Sequence, residues 1–278
     1  MGGSHESRNI PETDLLHNLD FVQKAIHEIL GIQFSSSTEE YVIAAKEKLK
    51  ESTQESVSYF TENNPLKSEA IAYLEYLLDG KRREGTLLIT ELIQQDVSIK
   101  DIYQHIFQDS QYEVGRLWQC NKITVAHEHY CTAATQQIMS GLYQHIFSST
   151  RKGKTLVACS ITGELHELGI RMVTDFFEMD GWDTYYLGAN MPDNQLMEAL
   201  IEHKADILAL SVSLPIHVSK AVTLIKKIRG NNDFANLKIM VGGYPFLNNM
   251  NLWKKVGADA FAKNANQAVA FANELVNQ

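Results

Sequence analysis

From Thr155 onward, short runs of consecutive apolar residues alternate with segments whose apolar residues recur at helical spacing. The runs read "TLVACSI" (155–161), "DTYYLG" (183–188), "ILALSVS" (207–213), "KIMVGG" (238–243) and "ADAFAK" (258–263). A continuous apolar run bounded by turns suits a strand covered on both faces, and a strand followed each time by a helix gives parallel pairing through right-handed crossovers. The pattern therefore predicts a five-stranded, doubly wound α/β layer with flavodoxin-like strand order. Upstream the texture is different. Residues 68–149 show helical periodicity in "EAIAYLEYLLDG", "REGTLLITELIQQD", "IKDIYQHIFQDSQYEVGRLWQCN" and "TVAHEHYCTAATQQIMSGLYQHIF", which predicts a helical bundle with short connections. Residues 12–60 read as polar helices with narrow apolar stripes, separated by a loop at "GIQFSSS".

The short basic stretch "STRKGK" at 149–154 marks the change from bundle to alternating pattern. The predicted organisation is an N-terminal helical extension (1–67), a helical bundle (68–150) and a Rossmann-like domain (151–278). The start "MGGSH" is read as an expression scar and is set aside.

Composition narrows the function. A hydrophobic content of 44% over 278 residues supports sizeable cores, while a net charge of −9 argues against a nucleic-acid surface. The longest basic cluster is "KRR" at 81–83, so direct DNA binding is not expected. Cys120, Cys131 and Cys159 stand at no metal-type spacing, and their odd number fits a reducing cytoplasm. No apolar run is long enough to span a bilayer, so no membrane role is expected.

Candidate chemistry concentrates at the carboxyl ends of the predicted strands, the edge where open α/β sheets bind ligands. The first strand runs into "GELHELG", which places Glu164, His166 and Gly169 in a strand-to-helix turn. An imidazole there can serve a metal or a proton-transfer reaction, and a carboxylate two residues earlier can hold its other ring nitrogen. The third strand brings Ser211 and Ser213 to the same edge, and the fourth ends in Gly242 and Gly243. Glycines remove side chains where a ligand passes close to the backbone.

Glu-x-His-x-x-Gly, then Ser-x-Ser-Leu on the third strand and Gly-Gly on the fourth, resembles the cobalamin-binding module of methionine synthase, corrinoid methyl carriers and cobalamin-dependent photoreceptors. The resemblance covers residues 68–278. It implies that His166 is the metal ligand beneath cobalt, replacing the cofactor's own base, and that Glu164 supports it where methyl carriers usually have Asp. It further implies a slot for the displaced nucleotide tail beside Gly242 and Gly243, lined by Ser211 and Ser213, with Leu165, Leu214 and Tyr244 completing the cofactor-binding set.

Within the bundle, "LWQCNKITVAHEHY" is similar to the capping signature of adenosylcobalamin photoreceptors. That similarity makes Trp118 the lid over the cofactor's upper group, Glu128 a hydrogen-bond partner of the adenosyl group, and His129 a neighbour in the same set. Gln119 stands where repressor-type photoreceptors have a cobalt-seeking His, which leaves His127 and His129 as candidates after illumination. Residues 1–67 lack the basic helix-turn-helix character of the DNA-binding members. "EHYCTAATQQIMSGLY" resembles stand-alone sensors that include the photocobilins, which admits biliverdin or another bilin as a second chromophore, with Cys120 and Cys131 as nearby thiols. The resulting expectation is a cytoplasmic light sensor, not an enzyme, that binds adenosylcobalamin, signals to an unidentified downstream protein and changes oligomeric state with light. The alternatives are a corrinoid protein carrying methyl groups between methyltransferases, and a scaffold or metal-binding module without sensory function.

Overall fold

The computed structural model describes residues 11–51, 57–147 and 150–276. The chain forms two compact units, residues 1–135 and 136–278.

In the first unit, α1 (Glu12–Leu30) and α2 (Ile32–Glu51) form a helical hairpin. The expected loop at "GIQFSSS" shrinks to Gly31, whose φ of 84° ends α1, and α2 begins at the next residue. A left-handed backbone angle lets one glycine do the work of a longer connection. Val42 is buried in this hairpin, and Lys46 pairs with Asp20 across it. The expected continuation of α2 through residues 52–56 lies outside the described residues.

The bundle helices follow as α3 (Lys67–Leu78), α4 (Arg82–Gln94), α5 (Ile99–Asp101), α6 (Asp109–Gln119) and α7 (Val125–Gly141), with α8 (Tyr143–Ile146) after it. Between α5 and α6 the backbone widens into a π-helical segment, Ile102–Gln108. It directs Ile102, Tyr103, Ile106 and Phe107 into the bundle core. Phe107 packs against both Tyr73 (ring centroids 5.5 Å) and Tyr103 (5.3 Å). The Tyr73 hydroxyl meets Thr135 Oγ1 at 2.9 Å, so the one polar atom of that buried ring is satisfied.

The second unit contains β1 (Thr155–Ser160), α9 (Leu168–Met179), β2 (Asp183–Tyr186), α10 (Asp193–Glu202), β3 (Ile207–Ser211), α11 (Val218–Arg229), β4 (Lys238–Gly242), α12 (Tyr244–Asn248), α13 (Leu252–Val256), β5 (Ala260–Phe261) and α14 (Ala265–Val276). All strand pairs are parallel and the order is β2-β1-β3-β4-β5, the flavodoxin-like arrangement expected from the sequence.

Strand residues alternate between the two covered faces. Val157, Cys159, Leu208, Leu210 and Val212 join Leu196, Leu200, Leu224, Ile225 and Ile228 of α10 and α11 in one core. Helices α9 and α14 pack together on the sheet, with Trp182 buried against Phe177 and its indole N–H bonded to Asn273 Oδ1 at 3.2 Å. Truncating one fully buried leucine of this core to alanine would cost about 2–5 kcal/mol.

Because β1 and β3 are neighbours and their crossovers leave on opposite sides, their carboxyl ends form the switch point of the sheet. Among the described residues, no helix is long and apolar enough to cross a membrane.

Candidate functional site

The loop after β1 is pinned before it reaches its histidine. Ile161 N donates to Ser211 O at 3.1 Å, extending the β1–β3 ladder by one bond. Thr162 Oγ1 donates to Met191 O at 2.6 Å, and Gly163 N donates to Asn190 Oδ1 at 2.7 Å. Gly163 has φ 88°, a value that favours glycine, and it turns the chain so that Glu164 points inward. Ser160 Oγ then donates to His166 O at 2.9 Å, closing the loop back on its own strand.

Glu164 has a relative exposure of 0%, and its two oxygens do different work. Oε1 accepts from His166 N at 3.2 Å and lies 2.5 Å from His166 Nδ1. Oε2 accepts from Ser213 N (3.0 Å) and Leu214 N (2.9 Å), and lies 3.1 Å from His217 Nδ1. Burial alone would raise this carboxyl's pKa. Hydrogen bonds from His166, His217 and the backbone outweigh burial and hold it at about 2.

A carboxylate only accepts, so His166 Nδ1 carries a proton and the neutral ring keeps its lone pair on Nε2. The His166 side chain is 64% exposed, so the loop presents an oriented nitrogen base to the outside.

Large apolar side chains are exposed on the loops of this sheet edge. Leu165 and Ile216 are each 75% exposed, and Leu214 and Tyr244 are exposed as well, on the loops after β1, β3 and β4. Ser211 faces Gly242 in the strand register. A Cβ on Gly242 would meet nothing within 4 Å, leaving open backbone there. Gly243 has a different reason to be glycine: its φ is 109° and an added Cβ would fall 2.0 Å from Val212 O. Gly169 lies exposed in the first turn of α9 with open space around it.

The structure thus brings together Glu164, Leu165, His166, Ser211, Ser213, Leu214, Gly242, Gly243 and Tyr244 at one sheet edge. Ser213 and Leu214 reach Glu164 through backbone N–H groups, not through their side chains.

Trp118, Glu128 and His129 belong to the other unit. There Trp118 is 37% exposed on α6, and on α7 Glu128 Oε2 lies 2.5 Å from His129 Nδ1 while its Oε1 accepts from Thr132 Oγ1 at 3.2 Å. Cys131 is buried and its thiol is pushed up to about 11, chiefly by burial, which makes it a poor nucleophile for attaching a bilin. His217 and Asn190 were not singled out from sequence. The signal available for His217 was its place three residues after Leu214, at the start of the third crossover.

Among the described residues, no group of three or more His, Cys, Asp or Glu side chains is arranged to hold a metal ion. A single oriented imidazole instead suits a metal whose other positions are already filled by a macrocycle, and the exposed apolar surround suits a broad, largely apolar ring. The residues present therefore fit cobalamin.

Two family models, each described as a B12 binding domain, match residues 71–143 and 154–270. Dimethylamine corrinoid protein 1 of Methanosarcina acetivorans is 24% identical over 199 residues, covering 70% of this chain and 92% of the relative. The trimethylamine corrinoid protein of Methanosarcina barkeri is 23% identical over 194 residues, covering 67% of this chain and 87% of its own length. The solved structure of the Methanosarcina barkeri monomethylamine corrinoid protein has the same fold, with a TM-score of 0.66 at 20% identity, covering 76% of this chain and 99% of that one.

These relatives overturn the light-sensor expectation: they are amine corrinoid proteins, and nothing among them is a photoreceptor. The bilin, the downstream signalling partner and the light-dependent oligomer rested on that reading and fall with it. With consecutive B12 binding domains over the bundle and the sheet, and a base-presenting loop that fits the cofactor, the chain belongs to the family of cobalamin-binding proteins.

Proposed function

We propose that this protein is a corrinoid carrier that holds a methyl group on cobalamin and passes it between methyltransferases. The observation that carries the reading is the fixed imidazole. Glu164 holds Nδ1 of His166 from a buried position and leaves Nε2 exposed among apolar side chains. The amine corrinoid proteins to which the chain is similar support a methylated amine as the first methyl source to try.

Bound cobalamin would supply a cobalt centre that accepts and releases a methyl group. The chain's own residues bind and orient it. His166 Nε2 would offer its lone pair to the cobalt, and Glu164 fixes the ring's tautomer and angle. Leu165, Leu214, Ile216 and Tyr244, all exposed at this edge, would cover apolar surface of the bound cofactor and exclude water there. Ser211, with the open backbone at Gly242, takes the nucleotide tail, and Ser213 lines its entrance. Gly169 keeps the first turn of α9 clear of the ligand.

On the helical unit, Trp118, Glu128 and His129 are proposed to set the preference for the cofactor's upper group, with the indole as the main contact. Competition among methyl-, adenosyl- and hydroxocobalamin reads this directly.

The test of the function is reconstitution of the full chain with each of these three forms. A methylated amine and a corrinoid-dependent methyltransferase are then added, and methyl transfer to a thiol acceptor is followed. Retention of cobalamin through gel filtration with turnover of the methyl form supports the reading. Preference for the adenosyl form with no transfer in either direction overturns it.

A further inference from the structure

The hairpin of α1 and α2 carries large apolar side chains that its own two helices leave uncovered. The two helices pack chiefly on each other, and among the described side chains of the hairpin Val42 alone is buried. Phe21, Val22, Ile29 and Tyr41 are each more than half exposed, from 51% at Val22 to 79% at Ile29. We infer that these residues form a homodimer interface, on which the hairpin of a second copy packs to complete a four-helix bundle.

Helical spacing sorts the side chains into two stripes. Leu19, Gln23 and Ile26 of α1 recur at intervals of four and three residues and are partly buried, which is the seam that one neighbouring helix needs. Val22, Ala25 and Ile29 repeat that spacing roughly a quarter of a turn away, with Phe21 at the edge, and all four are exposed. A helix with one neighbour has no use for a second apolar stripe, whereas a bundle helix buries apolar surface against two. On α2 the buried residue is Val42, and Tyr41 precedes it as Val22 precedes Gln23. In antiparallel helices that shared offset brings Tyr41 to the same side of the hairpin as Val22 and Ile29, and sends Ile43 to the opposite side.

Size and length select a second copy as the occupant. Covering Phe21, Val22, Ile29 and Tyr41 in two copies would remove on the order of 1,000 Å² from water, the size at which a specific interface begins. The helices are nearly equal, 19 and 20 residues, so hairpin against hairpin gives a bundle with flush ends about one two-fold axis. Below about 40 residues a packed unit usually needs disulfides, a metal or oligomerisation, and residues 12–51 stand at that limit without a cysteine. The hairpin also lies apart from the cofactor machinery. The B12 domain matches begin at residue 71, and 76% of this chain suffices to cover 99% of the monomethylamine corrinoid structure. Its task is thus additional to holding cobalamin, and a stem that joins two chains adds a second cofactor unit without altering either.

The test is sedimentation velocity of the full-length protein over a dilution series, with and without cobalamin. The wild type should sediment at twice the chain mass in both states. Combining Val22→Glu with Ile29→Glu puts charges into the seam and should raise the dissociation constant by roughly 100-fold or more. Tyr41→Ala should raise it by roughly tenfold, as truncation of a buried aromatic anchor does. Ile43→Glu, on the opposite side, should leave it unchanged.

A wild type that stays monomeric at every concentration overturns the inference and leaves the face to some other protein. A dimer that survives the double substitution, with helix content by circular dichroism intact, overturns it too, because the interface then lies elsewhere. Should the double variant fail to fold, Tyr41→Ala and Ile43→Glu decide, and equal dissociation constants in those two overturn the inference. So does a dimer that forms only in the cobalamin-loaded chain.

Discussion

Glu113 in the helical unit and Glu164 at the sheet edge are both buried carboxylates, yet their surroundings dispose of the charge in opposite ways. Glu113 meets a guanidinium one helical turn away: Arg116 Nη2 lies 2.5 Å from Oε1 and Nε donates to Oε2 at 2.9 Å, while Tyr59 N donates to Oε2 at 3.0 Å. Burial is again the largest influence and raises the pKa, but Arg116 and Tyr59 N–H reverse it and leave the group below the usual carboxylate range. The charge ends inside the unit and straps the segment at Tyr59 to the bundle. At Glu164, among the described residues, no side chain of fixed positive charge pairs with the carboxylate, which instead meets an exposed imidazole. A buried acid closed by a full counter-charge is a fastening, whereas one closed by N–H donors can act on what lies beyond it.

The largest expected effect breaks the fastening. Glu113→Ala leaves Arg116 mostly buried without its partner and should cost about 3–5 kcal/mol in urea unfolding of the helical unit. Any cobalamin bound should keep its nitrogen-ligated signal.

His166→Ala should show the reverse. The ring is exposed but its Nδ1 bonds the buried Glu164, so apoprotein stability should fall by only about 1 kcal/mol. Cobalamin retention should fall by more than the roughly 10- to 100-fold typical of residues standing behind a ligand.

Glu164→Gln should touch both quantities. Its amide presents N–H groups to donors that expect an acceptor, costing about 1–3 kcal/mol of stability and roughly tenfold in affinity. The stability difference between wild type and this variant has a defined pH dependence. Folding lowers this carboxyl from 4.5 to about 2, so its contribution is complete above about pH 5 and is lost as pH falls toward 2. Urea titrations at pH 6 and pH 3 should therefore show the gap narrowing at the lower pH; a gap that stays constant would mean that the carboxylate charge is not what stabilises the loop.

Trp118→Ala should be the smallest. A partly exposed indole at the proposed upper contact should shift the competition between methyl- and adenosylcobalamin by only several-fold, about 1 kcal/mol.

Much of the sheet was legible because a parallel strand covered on both faces must be apolar throughout. "TLVAC" and "ILAL" have few other ways to fold beside amphipathic helices. Glu164 and His166 were legible because polar side chains in a strand-to-helix turn stand out against that background. His217 was not, since it opens a helix fifty-three positions from the carboxylate it meets and reads locally as a turn residue. The start of α2 at Ile32 was hidden by "SSS", whose weak helix propensity is overridden once Gly31 makes the turn and α1 offers a partner. The sensor reading failed for a related reason. An indole and a carboxylate on bundle helices have ordinary structural partners, as Glu128 has in His129 and Thr132, so residue type alone does not say which ligand they face.

The side-by-side placement of β1 and β3 also sets an order of events. The donors that fix Glu164 lie 49, 50 and 53 positions further along the chain, so the site cannot assemble locally as its own loop emerges during synthesis. It comes into being only when the β1–β3 pairing closes, a long-range contact of the kind that forms slowly. Competence to hold the cofactor is therefore a late report on folding. A partly synthesised or partly unfolded chain offers His166 only as a loose imidazole, and cofactor loading selects chains in which the centre of the sheet has already formed.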